Sequence, residues 1–294
     1  MLYDLFAIIA PVFACAGIGY FWARTDQPFH AETVTSLVTN VATPFMVFDT
    51  LVRMDLTLET FGRMGVATML VLAGFGLLGT AFLLVCRLPL RSFLPAMMFT
   101  NSGNIGLPIC LFAFGEPGLA LAISFFGILV MFQFTVGIAI SAGSASPKFL
   151  FRSPIVYALA AALIFMGLGL EMPKWMANTV HLIGQFAIPL MLIALGVSLA
   201  KLRVTMLTES LAVALARLFI GFGVGAGVAM ILDLQPLEAG VLILQSAMPV
   251  AVFNYLFALR YNRSPEAVAG AVVLSSLIGF ATLPALLWMV LSRI

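Results

Sequence analysis

This sequence contains unusually few charged residues. Asp, Glu, Lys and Arg make up only 9% of the 294 residues, whereas a soluble domain usually carries about 25%. Hydrophobic residues supply 63% of the chain, and the mean hydropathy is +1.15. No soluble core needs that much apolar sequence, so the composition indicates a membrane protein, in contact with lipid, and excludes an ordinary soluble domain.

Motifs for catalysis, metal binding and nucleic-acid binding are also missing. The cysteines, Cys15, Cys86 and Cys110, lie in or beside apolar runs without a CxxC or metal-ligand spacing, which is typical of small core residues. There is no HExxH, no GxSxG and no paired Asp motif in the apolar runs. With a net charge of +2 and scattered Lys and Arg, a nucleic-acid surface is excluded. We therefore expect no enzyme, no metal site and no nucleic-acid partner.

Long apolar runs are what the sequence does contain. A membrane-spanning helix needs about 20 mostly apolar residues, and division at charges and turn residues yields ten runs. They are residues 5–23, 31–51, 64–86, 93–114, 119–142, 154–170, 179–200, 206–232, 237–259 and 266–291. The first has no basic segment before it and no small-residue cleavage site, so it is typical of a span rather than a signal peptide. The prediction is an all-α membrane protein with ten transmembrane helices and no soluble domain.

The basic residues are distributed unevenly between the two sides of these spans. Nine lie in the loops of one side: Arg24, Arg87, Arg91, Lys148, Arg152, Lys201, Arg203, Arg260 and Arg263. The other side and the termini carry four, which are Arg53, Arg63, Lys174 and Arg293. By the positive-inside rule the first set is cytoplasmic. We therefore predict a multi-pass protein of the cell inner (plasma) membrane with both termini on the periplasmic or extracellular side.

The two halves of the chain repeat weakly but in order. The segment ATPFM at residues 42–46 recurs as AIPLM at residues 187–191, and glycine-rich spans three and eight each end at a proline, Pro89 and Pro236. Because five spans is an odd number, the second half must enter the membrane from the opposite side. The sequence thus predicts an inverted 5+5 repeat of residues 1–145 and 152–294 within one membrane domain, an arrangement found in transporters.

Spans four and nine are both interrupted by polar residues and a proline. Residues 100–108 read TNSGNIGLP, and residues 244–251 read LQSAMPVA. An unpaired backbone group in hydrocarbon costs several kcal/mol, so unwound backbone survives there only beside a protein-enclosed or watery site. We expect Pro108 and Pro249 to lie in the first turn of new half-helices, Gly106 to permit close approach, and these three residues to form a helix-breaking crossover. Paired breaks in corresponding spans indicate a substrate site at the membrane midplane.

The TNSGNIGLP segment in the fourth of ten spans, together with the interrupted ninth span, resembles the auxin efflux carrier family. This family includes plant auxin exporters and bacterial carriers thought to move malonate, malate and similar carboxylates. The resemblance implies the fold of bile-acid sodium symporters and sodium/proton antiporters, in which spans four and nine cross at their unwound centres. It implies a scaffold of spans one, two, six and seven, an elevator of the other six spans, and a homodimer. Only residues 143–153 stand where plant exporters have a long hydrophilic loop, so a short bacterial-type carrier is the better match.

The site chemistry predicted at this crossover favours an anion. Half-helix N-termini present free amides to an anion, whereas half-helix C-termini present carbonyls to a cation. The candidate substrate-binding residues are Asn101, Ser102, Gly103, Asn104, Gln245, Ser246 and Arg217. The polar side chains among them are also suited to capping the broken helices. Arg217, about 16 Å into its span at 1.5 Å per residue, is suited to neutralising a carboxylate, to standing in for a coupling cation, or to bonding helix-end carbonyls.

Several other polar residues are assigned structural roles. Gln133, Asn254 and Asn40 are expected to form interhelical hydrogen bonds, and Asp49, Glu209, His30 and His181 to lie near the membrane interfaces.

The leading hypothesis is a secondary active transporter that moves a small organic anion, a mono- or dicarboxylate or an auxin-like acid, by alternating access. The first alternative is a sodium- or proton-coupled symporter of a larger amphipathic acid. An intramembrane enzyme or a non-transporting sensor is the alternative from another class. No cofactor is expected other than Na⁺ or H⁺ as a coupling ion.

Overall fold

The computed structural model describes residues 2–25, 27–54, 57–143 and 153–292. All regular elements in this part of the chain are helical. In chain order they are α1 (Leu2–Arg24), α2 (Ala31–Leu37), π1 (Val38–Ala42), α3 (Thr43–Arg53), α4 (Leu58–Val85), α5 (Leu90–Met98), π2 (Ser102–Gly106), α6 (Leu107–Phe132), π3 (Gln133–Gly137), α7 (Ile138–Ala142), α8 (Pro154–Leu168), α9 (Lys174–Gly184), α10 (Ala187–Lys201), α11 (Leu207–Ile231), α12 (Pro236–Ser246), α13 (Val252–Arg260) and α14 (Pro265–Leu291).

Six helical stretches in the described part are long and apolar enough to cross a membrane. They are Tyr3–Arg24, Leu58–Val85, Ser102–Ala142, Lys174–Lys201, Leu207–Ile231 and Pro265–Leu291. Helical structure also covers the ten predicted apolar runs, apart from short interruptions. The protein is therefore an all-α, multi-pass membrane protein. The count of ten spans and the 5+5 repeat stay predictions.

The longest stretch, Ser102–Ala142, is bent rather than straight. Gly115 has a φ of 68° and a ψ of −162° inside α6, a conformation that a residue with a Cβ rarely adopts. Pro117 follows two residues later. This bend separates the fourth predicted run from the fifth, so the chain can reverse there without leaving helical structure for long.

Packing divides the helices into two sets. In the first, α1 lies along α10, and α3 packs against α8 and α9. In the second, α4 packs against α5, α6 and α11, while α11 also packs against α12 and α14. The first set holds predicted spans one, two, six and seven, and the second holds the other six. The family resemblance implies a scaffold and an elevator with this membership, and that division and its movement stay predictions.

The interior lies around the two broken spans. Phe99, Ile105 and Phe125 are fully buried there. Outward-facing side chains of the long helices are apolar as well, with Leu77 and Phe219 among those more than two-thirds exposed. Apolar groups on both the inside and the outside are expected when the surrounding solvent is lipid.

Some of the residues that predict the orientation and the repeat lie outside the described residues. This applies to Lys148 and Arg152 in the central loop, to Arg293, and to the boundary predicted between the two halves at residues 145–152.

Candidate functional site

Two extended segments, residues 99–101 and 249–251, meet side by side at the centre of the protein. The N–H of Asn101 donates to the carbonyl of Pro249 at 2.7 Å, and the N–H of Ala251 donates to the carbonyl of Phe99 at 3.2 Å. Thr100 and Val250 face each other as an isolated antiparallel bridge. We call these segments and the helix ends beside them the crossing. Each break thus supplies hydrogen-bond partners for the other, which meets the requirement for paired backbone in a membrane.

Of the two prolines, Pro108 lies in the first turn of α6 as predicted, and Pro249 does not lie in a helix. Pro249 lies in the extended segment, before α13 begins at Val252, so the first-turn prediction is wrong for this residue. Pro108 is the second residue of α6, but π2 has already begun that half-helix at Ser102. Because proline has no N–H, the carbonyl of Asn104 lacks its usual donor four residues ahead. Both prolines therefore create irregular backbone rather than only tolerating it.

Side chains from neighbouring helices complete the hydrogen bonds of the crossing. The amide nitrogen Nδ2 of Asn254 donates to the carbonyl of Phe99 at 2.9 Å. The hydroxyl of Ser275 accepts from the N–H of Val250 at 3.0 Å. Asn254 thus forms a bond between segments, the structural role that the sequence indicated.

The side chains predicted to cap the broken helices do not do so. Each of four has a buried polar atom without a hydrogen-bond partner among the described residues: Asn101 Nδ2, Ser102 Oγ, Gln245 Oε1 and Ser246 Oγ. Asn101 also precedes π2 without donating or accepting a side-chain cap bond. Since the large majority of buried polar side-chain atoms are hydrogen bonded, the capping explanation is removed and these atoms remain available for another partner.

A cavity of about 50 Å³, the inner cavity, lies against the crossing. Its lining includes Thr43, Thr100, Asn101, Ser102, Gly103, Asn104 and Gln133. Five of the lining residues have buried polar atoms without a protein partner in the described chain: Thr43 Oγ1, Thr100 Oγ1, Asn101 Nδ2, Ser102 Oγ and Gln133 Nε2. A space of this size holds a few waters or one small polar group. This concentration of unpaired donors and hydroxyls makes it the candidate ligand site.

Three π-helical segments converge on the inner cavity. The contributing residues are Val38 and Thr39 from π1, Ser102, Gly103 and Asn104 from π2, and Gln133 and Phe134 from π3. Such segments are rare and occur frequently at functional sites, since the wider turn shifts the side chains that follow it by one position. Sequence reasoning assigned Gln133 to interhelical bonding and did not single out Thr43, because no sequence signal marked either π-helix.

A larger cavity of about 710 Å³, the vestibule, adjoins the inner cavity. The two share Thr39, Asn104, Phe134 and Phe253 in their linings. The rings of Phe134 and Phe253 meet edge to face with centroids 5.6 Å apart. These two aromatic side chains and Asn104 thus form the boundary between the vestibule and the inner cavity.

The vestibule carries neutral polar groups and one positive charge. The polar lining residues are Thr35, Ser36, Thr39, Asn40, Asn104, Ser153, Ser198, Lys201 and Tyr255. Among the described residues that line the vestibule, Lys201 is the one charged side chain, and no Asp or Glu lines either cavity. Asn40 donates to the hydroxyl of Ser36 within its own helix at 3.0 Å, rather than to another helix as the sequence suggested. The vestibule is therefore electrostatically suited to anions.

Gln245 and Ser246 lie apart from both cavities in the described structure. A Cβ at Gly106 would collide with Oε1 of Gln245, so this glycine allows α12 to approach the fourth span closely. A Cβ at Gly225 would lie 2.6 Å from the Cβ of Ser246. These two polar residues therefore pack at the side of the crossing where α12 ends, whereas Asn101, Ser102, Gly103 and Asn104 border the inner cavity.

Arg217 contacts the same side as Gln245 and Ser246. It is 0% exposed, its Nη1 donates to the carbonyl of Met97 at 2.7 Å, and its Nη2 donates to the carbonyl of Ser246. It lines neither the vestibule nor the inner cavity. Of the roles left open by the sequence, this geometry matches the bonding of helix-end carbonyls.

A second polar cluster lies between α3 and α9. Asp49 accepts from Arg53 at 2.9 Å and pairs with Nδ1 of His181 at 2.8 Å. Nε2 of His181 pairs with the side-chain amide of Gln185 at 2.6 Å. The cluster joins two helices of the first packing set and is distant in sequence from the residues of the crossing, so we assign it to the structure of that set.

Comparison with known proteins shows similarity to membrane transporters. The model of a family described as membrane transport protein matches residues 144–289. A transporter of uncharacterized function from Methanothermobacter thermautotrophicus is 29% identical over 276 residues, covering 88% of each chain. Another from Methanocaldococcus jannaschii is 24% identical over 278 residues, covering 88% of this chain and 89% of its own. The chain is therefore similar to the membrane transport protein family over residues 144–289 and to transporters over most of its length. This confirms the resemblance to auxin efflux carriers drawn from the sequence.

The family match includes one of the two breaks of the crossing. The residues matched by the family model extend from before α8 into α14 and so include Arg217, Gln245 and the second break. The similarity to the two archaeal transporters covers most of the chain. These similarities indicate a transporter, so we interpret the two cavities as parts of a transport pathway.

Proposed function

We propose that this membrane transport protein is a secondary transporter that moves a small organic anion, either a mono- or dicarboxylate such as malonate or malate or an auxin-like acid. The inner cavity carries the proposal. It brings five unpaired buried polar groups to the point where two broken helices cross. A buried polar cavity of this kind is costly to maintain unless water or a polar ligand occupies it, and a ligand that displaces the water must replace its hydrogen bonds.

The donors around the inner cavity favour a carboxylate. Ser102, Gly103 and Asn104 form the first turn of a half-helix, where backbone amides have no intrahelical acceptor. The second half-helix begins at Val252, and its neighbours Ala251 and Phe253 line the same cavity. Helix N-termini attract negative charge. Side-chain amides and hydroxyls add donors, so a carboxylate group is stabilised without a fixed charge on the protein.

The vestibule provides a route to this site from one side of the membrane. Lys201 and Ser153 line it and border the loops predicted to be cytoplasmic. In our proposal the structure is therefore an inward-facing state. The set containing α4, α5, α6 and α11 to α14 moves as an elevator against the set containing α1, α3 and α8 to α10, and carries the half-helix ends with it. A homodimer that anchors the set containing α1, α3 and α8 to α10 in the lipid follows from the family resemblance.

A larger amphipathic acid is the second candidate substrate. The volume of the vestibule, about 710 Å³, falls in the range of pockets that enclose drug-sized ligands. Such an acid would place its carboxylate in the inner cavity and its apolar body beside Phe134 and Phe253. Competition by a series of carboxylates of increasing size distinguishes the two candidates, because a small-acid site is blocked best by the smallest members.

Replacing Asn104 with Ala tests the site. Asn104 lines both cavities, and its side chain makes no hydrogen bond to the described residues. Loss of a hydrogen bond to a charged group costs about 1.5–3 kcal/mol, so we expect about 10- to 100-fold weaker carboxylate binding with little change in the Tm of the free protein. The measurements are thermal shift against a carboxylate panel and counterflow uptake in proteoliposomes.

Asn178→Ala is the matched control, since Asn178 is exposed on α9 and lines neither cavity. It should bind and transport like the wild type. Unchanged binding and uptake by Asn104→Ala would remove the inner cavity as the substrate site. Failure of every carboxylate to stabilise the wild type or to exchange would remove the proposed substrate class.

A further inference from the structure

Arg217 lies where the C-terminal ends of two half-helices converge. Met97 is in the last turn of α5, and Ser246 is the last residue of α12. The last carbonyls of a helix have no intrahelical donor. The neighbouring orphan carbonyls of Pro95 and Ile243 accept from the backbone of Phe99 and Ala247. The guanidinium group of Arg217 supplies the donors for Met97 and Ser246.

The charge of Arg217 is balanced without a carboxylate. No Asp or Glu of the described residues forms an ion pair with it. Each helix C-terminus carries the equivalent of about −0.5 elementary charge, so two of them together offset about one positive charge. The guanidinium carbon also lies 4.0 Å from the centre of the Phe75 ring, close enough for a favourable cation–π contact. This environment offsets the single positive charge of Arg217, and its Nε alone has no hydrogen-bond partner among the described residues.

Helix α11 is shaped to hold the guanidinium group in this position. Gly221 follows Arg217 by one turn, and a Cβ there would collide with the carbonyl of Ser246 and lie 2.8 Å from Nη2 of Arg217. Any larger residue would push α12 away and break the bond to Ser246. The side chain is thus enclosed by α4, α5, α11 and α12 and does not line the inner cavity.

We infer that Arg217 is a built-in cation that occupies the carbonyl side of the crossing in place of a dissociable coupling ion. In transporters with broken helices, half-helix C-termini and unwound carbonyls coordinate Na⁺. Here two such carbonyls are already bonded to a covalently attached positive charge. The inference deepens the proposed transport function. It rests on that function in one respect, because its main consequence is that transport of the acid does not depend on Na⁺. Arg217 is a positioning residue that fixes the two helix ends and does not touch the substrate.

The first test uses the wild-type protein. Counterflow of a radiolabelled carboxylate is measured in proteoliposomes with Na⁺, K⁺ or choline as the only monovalent cation on both sides. We expect initial rates to agree within about twofold, since no vacant carbonyl site responds to the ion. Saturable stimulation by Na⁺ of tenfold or more overturns the inference. Absence of exchange in all three media instead contradicts the proposed function and leaves the next test to decide on Arg217.

The second test needs no substrate. Arg217→Ala exposes the carbonyls of Met97 and Ser246 to a space the size of the lost side chain, so we expect a lower Tm that guanidinium ion at millimolar concentration partly restores, with urea as the comparison additive. Arg263→Ala is the matched control, because Nε of Arg263 donates to the helix-end carbonyl of Ser141 at 3.0 Å outside the crossing. Its Tm should not respond to guanidinium.

Equal responses of the two variants to guanidinium overturn the inference. If the alanine variant does not fold, Arg217→Lys tests the inference instead. It keeps the charge but lacks the planar fork that reaches both carbonyls. We expect a lower Tm than the wild type with Na⁺-independent exchange retained, and Na⁺-dependent exchange in this variant would show that the position does not exclude the ion.

Discussion

Lys201 is the residue with the clearest electrostatic role outside the crossing. It is exposed at the end of α10, lines the vestibule, and has no ion-pair or hydrogen-bond partner in the described part of the chain. A positive charge at the mouth of a low-dielectric cleft raises the local concentration of anions. We expect Lys201→Gln to raise the KM for carboxylate loading by about two- to fivefold at low ionic strength, with unchanged maximal rate.

This effect should have two further properties. It should fade as salt is added, because the Debye length falls from about 10 Å at 0.1 M to 3 Å at 1 M, and it should be absent when the acid is loaded from the opposite side of the membrane. Arg203→Gln is the control, since Arg203 is exposed two residues later and does not line the vestibule. Equal effects of both variants would mean that general surface charge is responsible.

At the residue scale, sequence reasoning located part of the candidate site. Polar residues inside an apolar run mark Asn101, Ser102, Gly103 and Asn104 as candidates, and the structure places all four on the inner cavity. The sequence predicts an interhelical hydrogen bond from Gln133, yet its Nε2 has no partner in the described chain. Gln133 lies at the start of a π-helix, whose wider turn changes the direction of its side chain. The hydrophobic periodicity of the sequence does not reveal such a segment, because it depends on tertiary packing.

Among the elements, the two breaks are stabilised by contacts that are distant in sequence. The hydroxyl of Ser275 accepts from Val250, whereas that of the adjacent Ser276 donates only to Val272 in the same helix. Both serines are fully buried in α14. Ser275→Ala leaves a buried N–H without a partner, so we expect a loss of about 1–3 kcal/mol in stability and a lower Tm. Thermal unfolding in detergent checks this.

Ser276→Ala is the matched control for Ser275→Ala. It removes a bond to a carbonyl that already accepts within the helix, so its loss should stay below about 1 kcal/mol. A loss as large as that of Ser275→Ala would show that serine packing in α14, and not the bond to Val250, supports the break.

The sequence predicts that spans four and nine are broken, but it does not predict which groups form hydrogen bonds with the unpaired backbone at the breaks. Proline and polar residues inside apolar runs mark a break locally. The pairing of Asn101 with Pro249, and the bond from Arg217 to Met97, join residues more than a hundred positions apart. These partners depend on how the helices pack, which explains why side-chain capping was expected and main-chain pairing was found.

For the whole molecule, orientation decides which compartment the vestibule serves. The basic residues predict that the end of α4 is cytoplasmic, and Cys86 is exposed there next to Arg87. We expect a membrane-impermeant maleimide to label Cys86 in inside-out vesicles and not in intact cells. Cys110 is buried and should stay unlabelled.

A second reporter fixes the opposite side. Glu171 is exposed between α8 and α9, on the side predicted to be external. In a Cys86→Ser background, Glu171→Cys should react in intact cells, and the Cys86→Ser protein alone should give no signal in inside-out vesicles beyond that of Cys15. Labelling of Cys86 in intact cells would reverse the orientation. The vestibule with Lys201 would then open to the outside, so the same structure would load its acid from the medium instead of from the cytoplasm.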